Sequence, residues 1–362
     1  MMSWVDSWAD ALPGQQDRTY NPAMTTSYLH LTPDFDLSAR NTLALRARSR
    51  WGAMLKTADQ VPALFALAQE RGLQLRILGG GSNVVLSQDF EGITAIVATT
   101  GRAVIEETEE HVVVEAAAGE TWHDFAVWTV EQGFGGIENL AGIPGTVGAA
   151  PVQNIGAYGA EVADVFESLL AFDTIEKTLK TFTANDCAFA YRDSVFKREP
   201  GRFVVLSLRL RLPRPWTPNL RFAGLSELSD HAMLDPRTVM DRVLSLRGSK
   251  LPDWRVTPNA GSFFQNPIVT IDEAARVLAA FPAAPNFPQP DGRIKLSAGW
   301  LIEQSGLKGF RMERAGISER HALVVVNLGD ADAGDISALA AHVKSTVKGR
   351  FGISLHEEPV FL

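Results

Sequence analysis

The chain has 362 residues, 46% of them hydrophobic and 21% charged, with a formal net charge of −8. That is enough apolar material for two or three domains of an ordinary globular protein, and a balance too acidic for broad nucleic-acid binding, which needs a basic face. A single cysteine, Cys187, excludes an intrachain disulfide.

No apolar run approaches the roughly 20 residues that a membrane-crossing helix needs. The start, Met1 to Asp6, has neither the positive region nor the apolar region of a secretory signal. A soluble, cytoplasmic protein without membrane insertion is therefore expected. Seven histidines without an H-E-x-x-H pair or clustered thiolates give no reason to expect a metal. Residues 1–36 show no helical or strand period and read as a flexible extension, with Met24 as an alternative start.

Periodic structure is expected after Asn41. Thr57-Ala58-Asp59-Gln60 reads as a capping box, followed by a helical face of Val61, Leu64, Phe65 and Ala68 and a stop at Gly72. A strand over Leu73–Leu78 runs into Gly79-Gly80-Gly81. Strands at Ile93–Ala98 and Val112–Ala117 precede a helix capped by Thr121, with Phe125 and Trp128 buried and Gly133 ending it. Leu206, Leu208, Leu210 and Leu212 alternate with Ser207, Arg209 and Arg211, the pattern of a half-buried strand. A proline-rich connector runs from Leu212 to Pro218, and a proline-rich loop from Pro282 to Pro290. The last clear helix lies near Asp335–Lys348, with Ile336, Leu339, Val343 and Val347 on one face. Short mixed elements without regular βαβ repetition indicate α+β domains.

Two segments invite a ligand. Leu78-Gly79-Gly80-Gly81-Ser82-Asn83 follows a strand, and its glycines permit converging backbone N–H groups, as in an anion-binding nest. It is neither a P-loop nor a Rossmann fingerprint, and a tight glycine turn explains it equally well. The second segment runs from Ile143-Pro144-Gly145-Thr146 to Gly156-Ala157-Tyr158-Gly159. Such glycine density costs entropy unless a ligand or close backbone packing requires it. A dinucleotide such as FAD would, and so would a structural loop.

These two segments are followed by Tyr191-Arg192-Asp193-Ser194, Gly261-Ser262-Phe263-Phe264-Gln265-Asn266-Pro267 and Ala298-Gly299-Trp300-Leu301-Ile302. In that order the five resemble the signatures of the UDP-N-acetylenolpyruvoylglucosamine reductase (MurB) family, in its form with a substrate-covering tyrosine loop. The resemblance extends from Asn41 to the end of the sequence. It implies an α+β fold with a two-part FAD-binding region of the MurB and vanillyl-alcohol-oxidase-like type, over residues 37–98 and 99–251. A separate α+β substrate-binding domain over 252–350 and a C-terminal strand over 351–362, returning to the active site, complete it.

The reaction implied is reduction of UDP-N-acetylglucosamine enolpyruvate to UDP-N-acetylmuramate by a monomeric enzyme, with FAD as cofactor and NADPH as electron donor. Hydride addition at the β-carbon places negative charge on the α-carbon and carboxylate, so a cation and an acid are required there. The family's catalytic positions fall on Arg192, Ser262 as proton donor, and Glu358. Read without the family, Arg192 is a turn arginine that Asp193 could pair with, Ser262 a turn residue, and Glu358 a solvated charge. Cofactor contacts carry over to Gly79, Gly80, Gly81, Ser82, Asn83, Gly145, Gly148, Ala149, Gly156 and Tyr158. Substrate contacts carry over to Phe222, Lys250, Asn266, Lys308 and His321.

The sequence departs from the family pattern in four places. Leu355-His356-Glu357-Glu358-Pro359-Val360 displaces a proline and leaves Glu357 as an alternative to Glu358. Ala149-Ala150 stand where a serine pair is usual. Phe222 replaces the clamping tyrosine and can stack but not donate a hydrogen bond. His321 replaces a glutamine and introduces a titratable group. Two other readings remain: a related FAD-dependent sugar or alcohol oxidase, and an FAD- or nucleotide-binding protein without activity.

Overall fold

A computed structural model describes residues 29–87, 89–231 and 233–362. Residues 1–28 of the extension expected over 1–36, with the alternative start at Met24, lie outside the described residues. The chain forms two compact units. Among the described residues, one comprises Leu29–Phe35, Ser49–Gly80 and Phe90–Arg247; the other comprises Asp36–Arg48, Gly81–Asp89 and Gly248–Leu362.

The first unit contains a four-stranded sheet in the order Leu31–Asp36, Arg48–Leu55, Phe90–Val97, Leu75–Leu78. The last three strands run parallel, and helix Gln60–Glu70 buries Val61, Leu64 and Ala68. A five-stranded antiparallel sheet follows, in the order Thr178–Phe182, Phe166–Asp173, Phe203–Pro213, His111–Ala117, Arg102–Glu107. The alternation read in the sequence puts Leu206, Leu208, Leu210 and Leu212 in one core with Val112, Val114, Trp122 and Phe125.

Several expectations are corrected here. Leu31–Asp36 is an edge strand, so ordered structure begins before Asn41 and the extension does not reach residue 36. Only Phe35 of it is buried and Pro33 interrupts it, which removes the alternation; an edge position tolerates the missing N–H. Helix Gln60–Glu70 starts three residues after Thr57, which is therefore not its N-cap. The Gln60 side chain does accept from the Lys56 and Thr57 N–H groups, at 2.7 and 3.2 Å. Thr121 occupies the N-cap of helix Trp122–Glu131 without a side-chain capping bond. Trp128 is half-buried rather than buried, stacked on Phe125 at 6.0 Å.

The second unit has a sheet ordered Asn259–Ser262, Val324–Asn327, Ala315–Ile317, Arg311–Met312, and a smaller one ordered Ile268–Val269, Ile294–Leu296, Asn286–Pro288. The Asn286–Pro288 strand lies within the expected proline-rich loop and is another edge strand. Helix Ala333–Phe351 buries Ile336, Leu339, Val343 and Val347 and is capped by Asp332. Early segments complete this unit. Thr42 O accepts from Asn259 N–H at 2.8 Å, and Leu43 O accepts from the Asn327 amide at 2.9 Å. Val84–Val85 pairs parallel with Val360–Phe361.

The class is α+β, as expected. No helix among the described residues is long and apolar enough to cross a membrane, and among them no group of His, Cys, Asp and Glu is placed to hold a metal ion.

Candidate active site

In the first unit the two glycine segments lie against each other. A methyl group on Gly80 would sit 2.9 Å from the Gly145 Cα, closer than carbon atoms approach, and Gly79 faces the Thr146 side chain. Close backbone packing is thus one reason for the glycines. The Gly145–Ala149 turn is held from below: Trp122 N–H donates to Gly145 O, and Val147 and Gly148 N–H donate to Glu120 O and Ala118 O at 2.9 and 2.8 Å. Ala150 is buried, so a hydroxyl there would face the core; Ala149 is exposed. Bare main chain and one small exposed side chain fit a diphosphate-bearing dinucleotide, because nothing bulky or acidic on Gly79, Gly80, Gly145 or Ala149 opposes it.

The remainder of the first glycine run belongs to the second unit. Gly81 O accepts from Thr42 N–H at 3.1 Å, Ser82 O accepts from the Thr42 hydroxyl at 3.3 Å, and Asn83 donates through its amide to Glu358 O at 3.1 Å.

Among the non-glycine residues of the first unit that adopt left-handed backbone are Asn154 at φ 44°, Tyr158 at 51° and Arg192 at 54°. Each costs about 1–2 kcal/mol, which surrounding bonds must offset. Arg192 donates to Gly156 O at 2.6 Å, and its own carbonyl accepts from Lys197 Nζ at 3.0 Å. Asp193 does not take the role sequence reading allowed it, because it pairs with Arg198. A tight turn between Ala190 and Asp193, bonded at 3.0 and 3.2 Å, presents the arginine.

Tyr158 packs edge-on against Phe222, ring centroids 4.9 Å apart. Burial pushes the Tyr158 phenol up, with the Arg247 charge pulling the other way, and burial lowers Arg247. Arg247 and the buried Asn139, which holds the Tyr158 carbonyl at 2.8 Å, were missed in the sequence. A polar residue beside Leu140-Ala141, in an apolar stretch, was the signal for Asn139; Arg247 offers none.

In the second unit Ser262 ends the strand Asn259–Ser262, whose register against Val324–Asn327 slips before Ser262. Gly261 causes the slip: it sits at φ 69°, with its N–H held by Asn259 Oδ1 at 2.9 Å. Residues 356–358 run alongside: Gln265 N–H donates to His356 O at 3.0 Å and Glu358 N–H to Phe263 O at 2.8 Å. This brings together Asn83, the main chain next to Ser262, and Glu358. Glu358 is buried; Glu357 is held by Lys344 at 2.9 and 3.2 Å.

Asn266 Oδ1 accepts from Ala298 N–H at 2.9 Å at the start of helix Ala298–Gln304, which leaves its NH2 group for a ligand. Lys308 pairs with Glu303 at 3.0 Å, and Lys250 is exposed. His321 accepts from Leu323 N–H at Nδ1, 3.2 Å, so its proton is on Nε2. Burial first, then the charges of Lys250 and Lys308, push this imidazole below its ordinary value, against a weaker pull from Glu303. The structure therefore brings Lys250 and Lys308 within electrostatic reach of His321.

A family model described as the C-terminal domain of UDP-N-acetylenolpyruvoylglucosamine reductase matches residues 252–362, and one described as an FAD binding domain matches residues 53–181. The UDP-N-acetylenolpyruvoylglucosamine reductase of Burkholderia vietnamiensis is 46% identical over 342 residues, covering 93% of this chain and 98% of that protein. That of Burkholderia mallei is also 46% identical, over 93% of this chain and 99% of its own length. The crystal structure of the Thermus caldophilus reductase (MurB) shares the fold, with a TM-score of 0.62 at 23% identity, covering 92% of this chain and 98% of that one. The chain belongs to the UDP-N-acetylenolpyruvoylglucosamine reductase family of FAD-dependent oxidoreductases.

Proposed function

We propose that the protein reduces UDP-N-acetylglucosamine enolpyruvate to UDP-N-acetylmuramate in peptidoglycan precursor synthesis, with NADPH as electron donor. The reading includes a cytoplasmic monomer whose partner is this small molecule and no nucleic acid. Gly79, Gly80, Gly145 and Ala149 would hold FAD, which would supply the hydride-transfer chemistry between NADPH and the β-carbon of the enolpyruvyl ether.

The chain's own residues then have defined tasks. Arg192 holds the substrate carboxylate, on which charge develops; a guanidinium does so with two parallel hydrogen bonds. Ser262 gives its hydroxyl proton to the α-carbon, and a well-placed acid contributes roughly 10²–10⁴ in rate. A serine hydroxyl is a weak acid, so it needs alignment. The Gly261 bulge shifts the register so that Ser262 pairs with Val324, which supports such an alignment. Glu358 polarises the reacting end of the substrate. Lys250, Lys308, Asn266 and His321 bind the diphosphate and sugar, and Phe222 covers them. The FAD-binding region over residues 37–98 and 99–251, the substrate-binding region over 252–350 and the segment 351–362 keep their assigned roles in this reading.

The observation that most supports it is the 2.8 Å bond from Glu358 N–H to Phe263 O, which joins the carboxylate's main chain to the residue after Ser262. The test is spectroscopic. FAD-loaded protein should bleach with NADPH under anaerobic conditions and regain its colour on addition of the enolpyruvyl substrate. Return only on admitting oxygen would replace the reductase reading with an oxidase.

A further inference from the structure

Asn139 lies in the short 3-10 turn Glu138–Leu140 and is 2% exposed. Its NH2 group donates to two carbonyls, Tyr158 O at 2.8 Å and Asn219 O at 2.9 Å, 19 and 80 residues away in sequence. Its Oδ1 is buried without a hydrogen-bond partner. Exchanging the amide's two ends would aim oxygen lone pairs at two carbonyl oxygens, so the orientation is fixed by chemistry. A buried orphan acceptor is costly, so the two bonds made by the NH2 group must offset it. What this amide secures is the position of two main-chain segments.

Both segments carry an aromatic ring. Tyr158 is held in left-handed backbone at φ 51°, and three residues beyond Asn219 is Phe222, edge-on against it at 4.9 Å. A second bond ties the same segments, Asn219 Nδ2 to Gly159 O at 2.9 Å. A third fixes the start of the loop to the same turn, Trp216 Nε1 to Glu138 Oε1 at 2.9 Å. All of these residues belong to the first unit.

We propose that Asn139 is a positioning residue for substrate binding: it clasps the Tyr158 main chain to the 216–222 loop and so sets where Phe222 closes over the substrate. The proposal rests on the reductase reading for the identity of that substrate. The clasp itself is a property of the apoprotein, and the two can be tested apart.

The first variant is Asn139→Asp, which keeps the shape but sets a carboxylate oxygen against two carbonyls. It should raise KM for the enolpyruvyl substrate at least about tenfold, with kcat changed less than about threefold and flavin reduction by NADPH unaltered. In a Phe222→Ala background the same change should raise KM by less than about twofold, because the residue it positions is gone. Hydrogen exchange without ligand should accelerate over residues 156–160 and 218–223 together. If Asn139→Asp does not fold, Asn219→Ala removes the second tie from a less buried position and should raise KM at least about threefold with the same split. The proposal is overturned if KM is unchanged, if both half-reactions slow equally, or if the effects of Asn139→Asp and Phe222→Ala multiply fully. Should the native enzyme leave the enolpyruvyl ether unreduced, the reaction reading fails, and faster exchange in only one of the two segments would still sink the clasp.

Discussion

Lys344 grips both carboxylate oxygens of Glu357, while the next residue, Glu358, is buried beside Asn83 and Phe263. Neighbouring glutamates at one chain segment thus have different surroundings. We expect Glu358→Gln to lower turnover by at least about a hundredfold with FAD content unchanged. Glu357→Gln should cost about 1 kcal/mol of stability or less, because its ion pair is partly solvated, and should leave turnover close to native. Steady-state assays on the two variants decide it, and the reverse pattern would make Glu357 the working carboxylate.

The Gly261 bulge separates geometry from packing. A methyl group there meets nothing within 4 Å, yet the residue sits at φ 69°. Gly261→Ala should therefore cost about 1–2 kcal/mol through backbone strain alone. In stopped flow we expect it to slow flavin reoxidation by substrate while sparing reduction by NADPH. Ser262→Ala should slow reoxidation by at least about a hundredfold. Equal slowing of both half-reactions in Ser262→Ala would make Ser262 a binding or folding residue.

His321 was expected to make substrate affinity pH-dependent, and its surroundings move that dependence to the acid side. Burial, Lys250 and Lys308 lower its pKa from 6.5, and protonation at Nδ1 would also break the bond from Leu323 N–H. Neutral His321 offers an N–H donor, as the NH2 group of a glutamine amide also does. Binding of UDP-N-acetylglucosamine, followed by calorimetry, should be flat between about pH 7 and 8.5 and little changed in His321→Gln. For stability the sign is opposite to that of a paired histidine. The unfolded chain takes up the proton first, so stability is complete above about 6.5 and declines as pH falls through the lowered value. His321→Gln should flatten that decline in thermal melts.

Gly80→Ala should weaken FAD retention. The added methyl would meet the Gly145 Cα, a main-chain atom that cannot rotate aside. Overpacking of this kind costs about 1–3 kcal/mol, or up to about a hundredfold in affinity if it falls on the cofactor surface. The ratio of flavin to protein absorbance after gel filtration measures it; a native ratio would show that the segment contributes packing only.

Asp173 tests the sheet beneath these segments. Its carboxylate is out of reach of solvent, which alone would raise its pKa. Bonds from Glu176 N–H, Arg202, Lys180 and Ile175 N–H more than offset that and hold it at about 2. The shift from 3.8 corresponds to about 2 kcal/mol, present above pH 4 and lost as pH falls through about 2. Asp173→Asn, measured by urea unfolding at neutral pH, should lose about 3 kcal/mol and part of the acid sensitivity.

Elements with a clear period were legible. Ile336, Leu339, Val343 and Val347 announced their helix, and Leu206 to Leu212 their strand, because one face of each is buried along its length. Leu31–Asp36 and Arg102–Glu107 were not, since edge strands with few buried residues carry no alternation. At the site, Gly79–Gly81 and Gly261 showed themselves as glycines. Tyr158 and Arg192 hold equally unusual backbone, but a non-glycine residue at positive φ looks like any other in a sequence. Asn139 acts through carbonyls 19 and 80 residues away, and main-chain partners leave no mark on residue type.

The pairing of Val84–Val85 with Val360–Phe361 has a consequence for biosynthesis. Asn83 meets its acceptor, Glu358, across 275 residues of chain. At roughly 5–20 residues per second, the early segment leaves the ribosome many seconds before its partner exists. Residues 36–48 and 81–89, which carry Leu43, Leu45 and Val85, must wait for the rest of their core, residues 248–362, to emerge. A fragment starting at residue 252 would lack these segments altogether. A nearly complete chain therefore still lacks the strand that pairs with Val84–Val85, and its second unit closes only when synthesis is almost finished.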